Sequence, residues 1–337
     1  MVVAVAWIAA CGNDNSDAYA DLTDARVDTS VEGRVTVTGS STVEPVSTFA
    51  AQALRGQTGA IDISVEGPGT GDGLEKLCGG DADIAGASRP ITDEELSACA
   101  EAGIDLIELP VGLDGVAVVV EGSDPPSCLS FADLYALVGP EAVGVGRWSE
   151  ATEVARQLGS DTVLPDRRLV VAGPGEESGT FDSLVEQVIE PVAERRVADG
   201  EVDPDEAGTI RSDYASSAND NTIIEAVGSD DGGLGWVGFA FAAESPDVAS
   251  VPIAVSPDGP CVAPSEETIR DGSYPIARTL FLYVDAARAA EDPAVAAYVD
   301  FYLAGLDDFV DLAGYVELED PQATRELWAA RETIGPA

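Results

Sequence analysis

The chain has 337 residues, 45% of them hydrophobic, and sets 62 acidic against 17 basic side chains for a formal net charge of −45. That length can bury a sizeable core as one large domain or two lobes, and that charge repels phosphate backbones and anionic lipid, so nucleic acid is not an expected partner. Histidine is absent, which excludes Ser-His-Asp and Cys-His catalytic sites and the common histidine-containing zinc sites. Only Lys76 among the basic residues is a lysine, and a carboxylate-rich, lysine-poor surface fits a halophilic coat, although high G+C coding bias favours arginine equally well. No D-x-D-x-D-G loop supports calcium, and no cofactor is expected.

Residues 1–10, MVVAVAWIAA, are too few to span a bilayer but suit the apolar region of a secretory signal. Ile8-Ala9-Ala10-Cys11 matches the pattern at which bacterial lipoproteins are cleaved and acylated on cysteine. Residues 1–32 are therefore read as signal, lipobox and acidic linker, and the mature protein as extracytoplasmic, held to the membrane only through lipid on Cys11. Four cysteines remain, Cys78, Cys99, Cys128 and Cys261, an even number that favours disulfides in an exported chain. Separation along the chain favours Cys78 with Cys99 and Cys128 with Cys261, one of three possible connectivities.

Gly33–Gly39 (GRVTVTG) alternates like a strand and leads through SSTVEP into a helical run from Val46 to Leu54. Ile61–Val65 predicts a second strand, followed by the loop GPGTGDG, a helical LEKLC, and a short buried strand ending at Ala87. Strand, polar turn and helix repeat, which predicts an α/β fold with mainly parallel sheets and ligands at the carboxyl ends of the strands. Gly115–Val120 and Thr279–Val284 are strongly apolar strands far apart in sequence, read as two crossings of a hinge. On that reading residues 33–113 with 280–337 form lobe I, and residues 114–279 form lobe II.

Near the middle stands GPGEESGTFDSLVEQVIE, where Phe181, Leu184, Val185, Val188 and Ile189 have helical spacing. Ser178, Gly179 and Thr180 thus fall at a helix start, where unpaired N–H groups and the macrodipole can hold an anion without a lysine. A lone SGT would be an ordinary N-cap. Three more hydroxyl turns accompany it, however: Ser40-Ser41-Thr42 after the first strand, Thr70 after the second and Ser88-Arg89 after the third. Together they predict a cleft that holds a desolvated oxyanion by many aligned hydrogen bonds.

The blocks TGSSTVEP, GPGTGDGLEKLCGGDADIAGASRPI, GPGEESGTFD and RSDYASSANDNTIIEAVGSDDGGLGWVGFAFA resemble, in order, those of the PstS-type phosphate-binding proteins of bacterial ABC uptake systems. The resemblance spans roughly Gly33 to Val284. It implies a type II periplasmic-binding-protein fold of two lobes, a monomer that binds inorganic phosphate and delivers it to an ABC permease and ATPase complex. Carried over, it places Ser41, Thr42, Thr70, Ser88, Ser178, Gly179 and Thr180 around the anion, with Arg89 or Arg211 as the basic contact and Asp220 facing the same region. Two departures stand out: well-known members place an aspartate where SRPI stands, and some an arginine just upstream of the SGT-like loop. The carboxylate that would accept a phosphate proton and repel sulfate is therefore open among Asp72, Glu44 and Asp220.

Three other readings compete, one of them a surface adhesion or signalling role that uses the same scaffold without transport. Sulfate or molybdate could occupy the same fold. A phosphoester hydrolase would need a base for Ser178, yet the chain has no histidine, Lys76 lies in another segment, and the surrounding residues are not a G-x-S-x-G elbow. The expected protein is not an enzyme.

Overall fold

A computed structural model describes residues 23–176 and 178–335. The expected signal segment, the lipobox and Cys11 lie outside the described residues.

The chain opens with β1 (Gly33–Gly39), α1 (Glu44–Gln57), β2 (Ile61–Val65), α2 (Thr70–Cys78), β3 (Ile84–Ala87) and α3 (Asp93–Glu101), the predicted strand–turn–helix rhythm. Val35 and Val37 of β1 alternate inward and are almost wholly buried, as a period of two requires. β1 pairs parallel with β2 and β3, so the carboxyl ends of β1 and β3 share one edge of the sheet.

β4 (Leu106–Glu121) then runs 16 residues. Its first half pairs antiparallel with β11 (Ala277–Asp285), and its second half, from Val116, pairs antiparallel with β8 (Gly233–Gly238). The predicted strand Gly115–Val120 is thus only the distal part of one long hinge strand. Pro110 and Gly112 hid the proximal part, and the β11 register shifts between Leu280 and Phe281, opposite Pro110, which has no N–H for the ladder.

The second half of the molecule continues with β5 (Leu129–Ser130), α4 (Phe131–Val138), α5 (Thr152–Gln157), β6 (Val170–Gly173), α6 (Gly179–Leu184), α7 (Glu190–Ala198), β7 (Ala215–Ser216) and α8 (Asp220–Gly228) before β8. After it come α9 (Phe239–Glu244), β9 (Val248–Ser250), β10 (Ile253–Ala254) and α10 (Glu266–Arg270). β11 leads back to α11 (Ala286–Glu291), α12 (Pro293–Ala304), α13 (Leu306–Leu312) and α14 (Pro321–Ala330). The large sheet has the path β2-β1-β3-β11-β4-β8-β6-β7. Every antiparallel pair in it involves β4 or β11, while pairs away from the hinge are parallel.

Two large cores flank the hinge. One gathers Val35, Leu54, Ile63, Leu282, Tyr298 and Phe309, the other Val118, Tyr135, Trp148, Val188, Trp236 and Tyr274. Each carries one disulfide nearby, Cys78–Cys99 linking α2 to α3 and Cys128–Cys261 beside the β5–β10 ladder, the pairing favoured from sequence.

Candidate functional site

The lobe I wall of the cleft begins where β1 ends. Gly39 has φ 126°, and a Cβ there would lie 2.1 Å from the Gly86 carbonyl oxygen, so only glycine lets β1 and β3 end side by side. The Ser40 amide donates to that Gly86 carbonyl at 2.8 Å, and the Thr42 amide donates to Ser40 Oγ at 3.1 Å. Next to them the Thr70 and Ser88 hydroxyls lie 3.1 Å apart, and the Ser88 amide donates to Thr70 Oγ1 at 3.2 Å. Thr42, Thr70 and Ser88 are all buried. Neither α1 nor α2 has a side-chain cap; at the start of α1 the Val43 and Glu44 amides donate to the Ser40 carbonyl and Pro45 has no N–H, so it is the start of α2 that offers backbone donors at this edge.

The opposing wall is the SGT turn. Ser178 Oγ accepts from the Thr180 amide at 3.2 Å, as a capping residue does. Gly179 is pressed against Thr42: a Cβ on it would come 2.4 Å from the Thr42 Cα, and Thr42 Oγ1 donates to the Gly179 carbonyl at 3.3 Å. One turn later Asp182 accepts a hydrogen bond from the Ser41 hydroxyl. The helix then passes through a π turn at Val185–Ile189 before α7, whose second residue, Pro191, has no N–H to donate.

Between the walls stands Arg278, at the start of β11, with a side chain only 9% exposed. Its Nη2 donates to Thr42 Oγ1 at 2.8 Å and to Ser183 Oγ at 2.6 Å, and its Nη1 meets Glu186 Oε2 at 2.5 Å. Its Nε lies 3.5 Å from Asp114 Oδ2, beyond good hydrogen-bond geometry, and has no hydrogen-bond partner. Asp114 is the direct cross-strand neighbour of Arg278 on β4 and is fully buried, with Oδ2 against Ser183 Oγ and Oδ1 without a partner.

The two arginines proposed from sequence have other commitments. Arg89 makes a two-point ion pair with Glu95, at 2.9 and 2.8 Å, and is 42% exposed at the rim. Arg211 is buried but grips Asp213 and the carbonyls of Leu137 and Val145 within lobe II. Of the acids weighed, Asp72 is exposed and Glu44 half-buried. Asp220 is half-buried at the start of α8.

Burial is the chief cause that raises the carboxyl groups of Asp114, Asp182 and Asp220 above the usual aspartate range. Arg278 partly offsets it for Asp114, and the Ser41 hydroxyl for Asp182. The phenol of Tyr315 is pushed well above its usual value by burial first, then by the negative charge of Asp114, with Asp220 and Asp182 acting in the same sense. Four acids (Asp114, Asp182, Asp220 and Glu186), one tyrosine and one arginine therefore share this part of the cleft.

Sequence reasoning missed Arg278, Asp114, Asp182 and Ser183. A signal was present for the first two: each is a single charge inside an apolar strand, IARTLFLYV and LDGVAVVV, and a lone buried charge calls for a partner. Nothing in the sequence pairs two residues so far apart.

A model of the PBP superfamily domain matches residues 24–305. The SphX protein of Synechococcus elongatus is 35% identical over 285 residues, covering 84% of this chain and 77% of that protein. The phosphate-binding protein PstS of Staphylococcus saprophyticus is 25% identical, covering 90% of this chain and 86% of its own. Among solved structures, a possible phosphate-binding protein from Planctomyces limnophilus superposes with a TM-score of 0.76 at 30% identity, covering 89% of this chain and 99% of that one. The fold is that of the type II periplasmic binding proteins, a class that binds ligands and is not enzymatic. The chain belongs to the PBP superfamily, within the group of PstS and SphX phosphate-binding proteins.

Proposed function

We propose that this protein binds inorganic phosphate outside the cytoplasm and delivers it to an ABC importer. The observation that carries this reading is the meeting of two hydroxyl turns, Ser41–Thr42 and Ser178–Thr180, across the cleft between two lobes. Residues 33–113 with 280–337 make one lobe and residues 114–279 the other. Ser41, Thr42, Thr70, Ser88, Ser178, Gly179 and Thr180 surround the anion with hydroxyl and backbone donors, which in an enclosed site are weakly screened by salt. Among the described residues no helix is long and apolar enough to cross a membrane. A lipid on Cys11 would hold the protein at the surface.

Asp182 is the acid best placed to sort oxyanions, since its carboxylate already accepts from Ser41 at the meeting of the walls. It accepts the proton that HPO₄²⁻ and H₂PO₄⁻ carry, and repels SO₄²⁻, which carries none at neutral pH. Burial raises Asp182, so its rejection of sulfate weakens as pH falls and the carboxylate becomes neutral.

Calorimetric titration of the dialysed protein with phosphate, sulfate and molybdate at two salt concentrations tests the reading. One-to-one phosphate binding that persists at high salt, with no sulfate response, is the expected result. An Asp182→Asn variant should admit sulfate. Equal binding of sulfate by the unaltered protein would favour the second reading, a receptor for another oxyanion, and no binding of any of the three would sink both.

A further inference from the structure

We propose that Arg278, carried by the hinge strand β11, is the cation of the anion site, and that Glu186 occupies it as an internal counter-anion which the ligand displaces. The inference rests on the reading of the cleft as a phosphate site and assigns the charge that the seven hydroxyl and backbone contacts lack.

Arg278 touches both walls. Its Nη2 holds Thr42 Oγ1 of the lobe I turn and Ser183 Oγ of the lobe II helix, so the guanidinium stands where the walls meet. It also lines a cavity of about 380 Å³ together with Ser88, Arg89, Glu186 and Phe281. Arg89 and Arg211, the other basic candidates, are bound to Glu95 and to Asp213.

The pairing of Arg278 is also unfinished. Its Nε is buried without a hydrogen-bond partner, and so is Oδ1 of the Asp114 beside it. A guanidinium presents five donors in a fixed fork suited to two-point recognition of a phosphate. One of its partners here, Glu186, is 49% exposed and sits in the π turn, where the helix backbone departs from its regular pattern. Asp114, in contrast, is fully buried and is its register partner in the sheet, so that contact stays with the hinge. An incoming anion therefore competes with Glu186 and not with Asp114: the Arg278–Glu186 ion pair opens, Glu186 turns to solvent, and the phosphate oxygens take the freed donors.

Calorimetric titration with inorganic phosphate separates the alternatives, using the full chain and the variants Arg278→Gln, Arg278→Lys and Glu186→Gln, each with its unfolding temperature measured without phosphate. Arg278→Gln should weaken binding by about 100-fold or more, because a buried charge-assisted contact is lost. Arg278→Lys should recover only part of that, since an ammonium cannot reproduce the fork. Glu186→Gln should tighten binding by about two- to fivefold, as loss of a half-exposed competing ion pair would. If Arg278→Gln does not fold because Asp114 is left alone, the double variant Asp114→Asn with Arg278→Gln removes the stranded charge and carries the same expectation. A folded Arg278→Gln or double variant that binds phosphate within threefold of the parent overturns the inference while leaving the phosphate reading intact. Weaker binding by Glu186→Gln would make that residue a structural tie and also overturns it. A parent protein that gives no heat with phosphate overturns both.

Discussion

On the lobe I wall Ser40, Thr70 and Ser88 satisfy their partners within one sheet edge, through Thr42, Gly86 and one another. On the lobe II wall the side chains of Asp182 and Ser183 find partners outside their own helix, in Ser41, Asp114 and Arg278. That part of the first wall is a template made within its own sheet edge, whereas Ser41 and Thr42 beside it reach Asp182, Gly179 and Arg278. The second is completed by the other lobe and by the hinge, so its geometry reports on closure. The same small polar residue types thus serve as fixed scaffold or as conditional contact, according to where their partners lie in the chain.

The sharpest way to separate the walls is to loosen one lobe at a time. Cys128–Cys261 spans 133 residues of sequence and should contribute about 5 kcal/mol by chain entropy, against about 3 kcal/mol for the 21-residue span of Cys78–Cys99. Paired cysteine-to-serine variants followed by urea unfolding should show the larger loss for Cys128 with Cys261. Equal losses would remove this contrast between the lobes.

Asp114→Ala attacks the hinge support of the second wall. It leaves the Arg278 guanidinium buried beside an empty space and should cost about 4 kcal/mol, read as a fall in the denaturant midpoint. Gly39→Ala attacks the first wall through backbone alone. With a left-handed φ and no room for a Cβ, it should cost about 3 kcal/mol, read as a fall in the denaturant midpoint without phosphate.

The smallest effect belongs to Arg89→Ala. Its pair with Glu95 is largely exposed, so stability should change by less than about 1 kcal/mol. The Arg89 hydrogen bonds hold Glu95 down to about 2 from 4.5. The contribution of the pair is therefore complete above pH 4.5 and lost as the pH falls toward 2, so acid titration should show the difference between variant and parent shrink across that window and vanish below it. A loss of phosphate affinity in this variant comparable to that of Arg278→Gln would move the cation of the site back to Arg89.

The first wall was the more legible of the two in the sequence. Alternating Val35 and Val37, Gly39 and the run Ser40 to Thr42 are neighbours along the chain, and local pattern is enough to place them at a strand end. Ser178 to Thr180 was legible for the same reason. Arg278 was not, because it contacts Thr42 across 236 residues and Ser183 across 95, and no periodicity carries such a pairing. Arg89 was misleading because SRPI stands beside a true site turn, while the capping box of α3 places Glu95 to take its charge. The proximal part of β4 was hidden by Pro110 and Gly112, which interrupt a strand pattern until β11 supplies the partner strand.

β4 belongs to both halves of the sheet without interruption, and Asp114 and Arg278 face each other on it and on β11 where one half gives way to the other. Such a joint behaves as a torsion bar. When the lobes part, the ladder hydrogen bonds need not break, since twist is shared along a continuous strand and only the distance between the walls changes. Amide protons along the middle of β4 should accordingly exchange slowly in the empty and the loaded protein alike. The guanidinium rides on the axle rather than on either wheel, and keeps its place as the walls move.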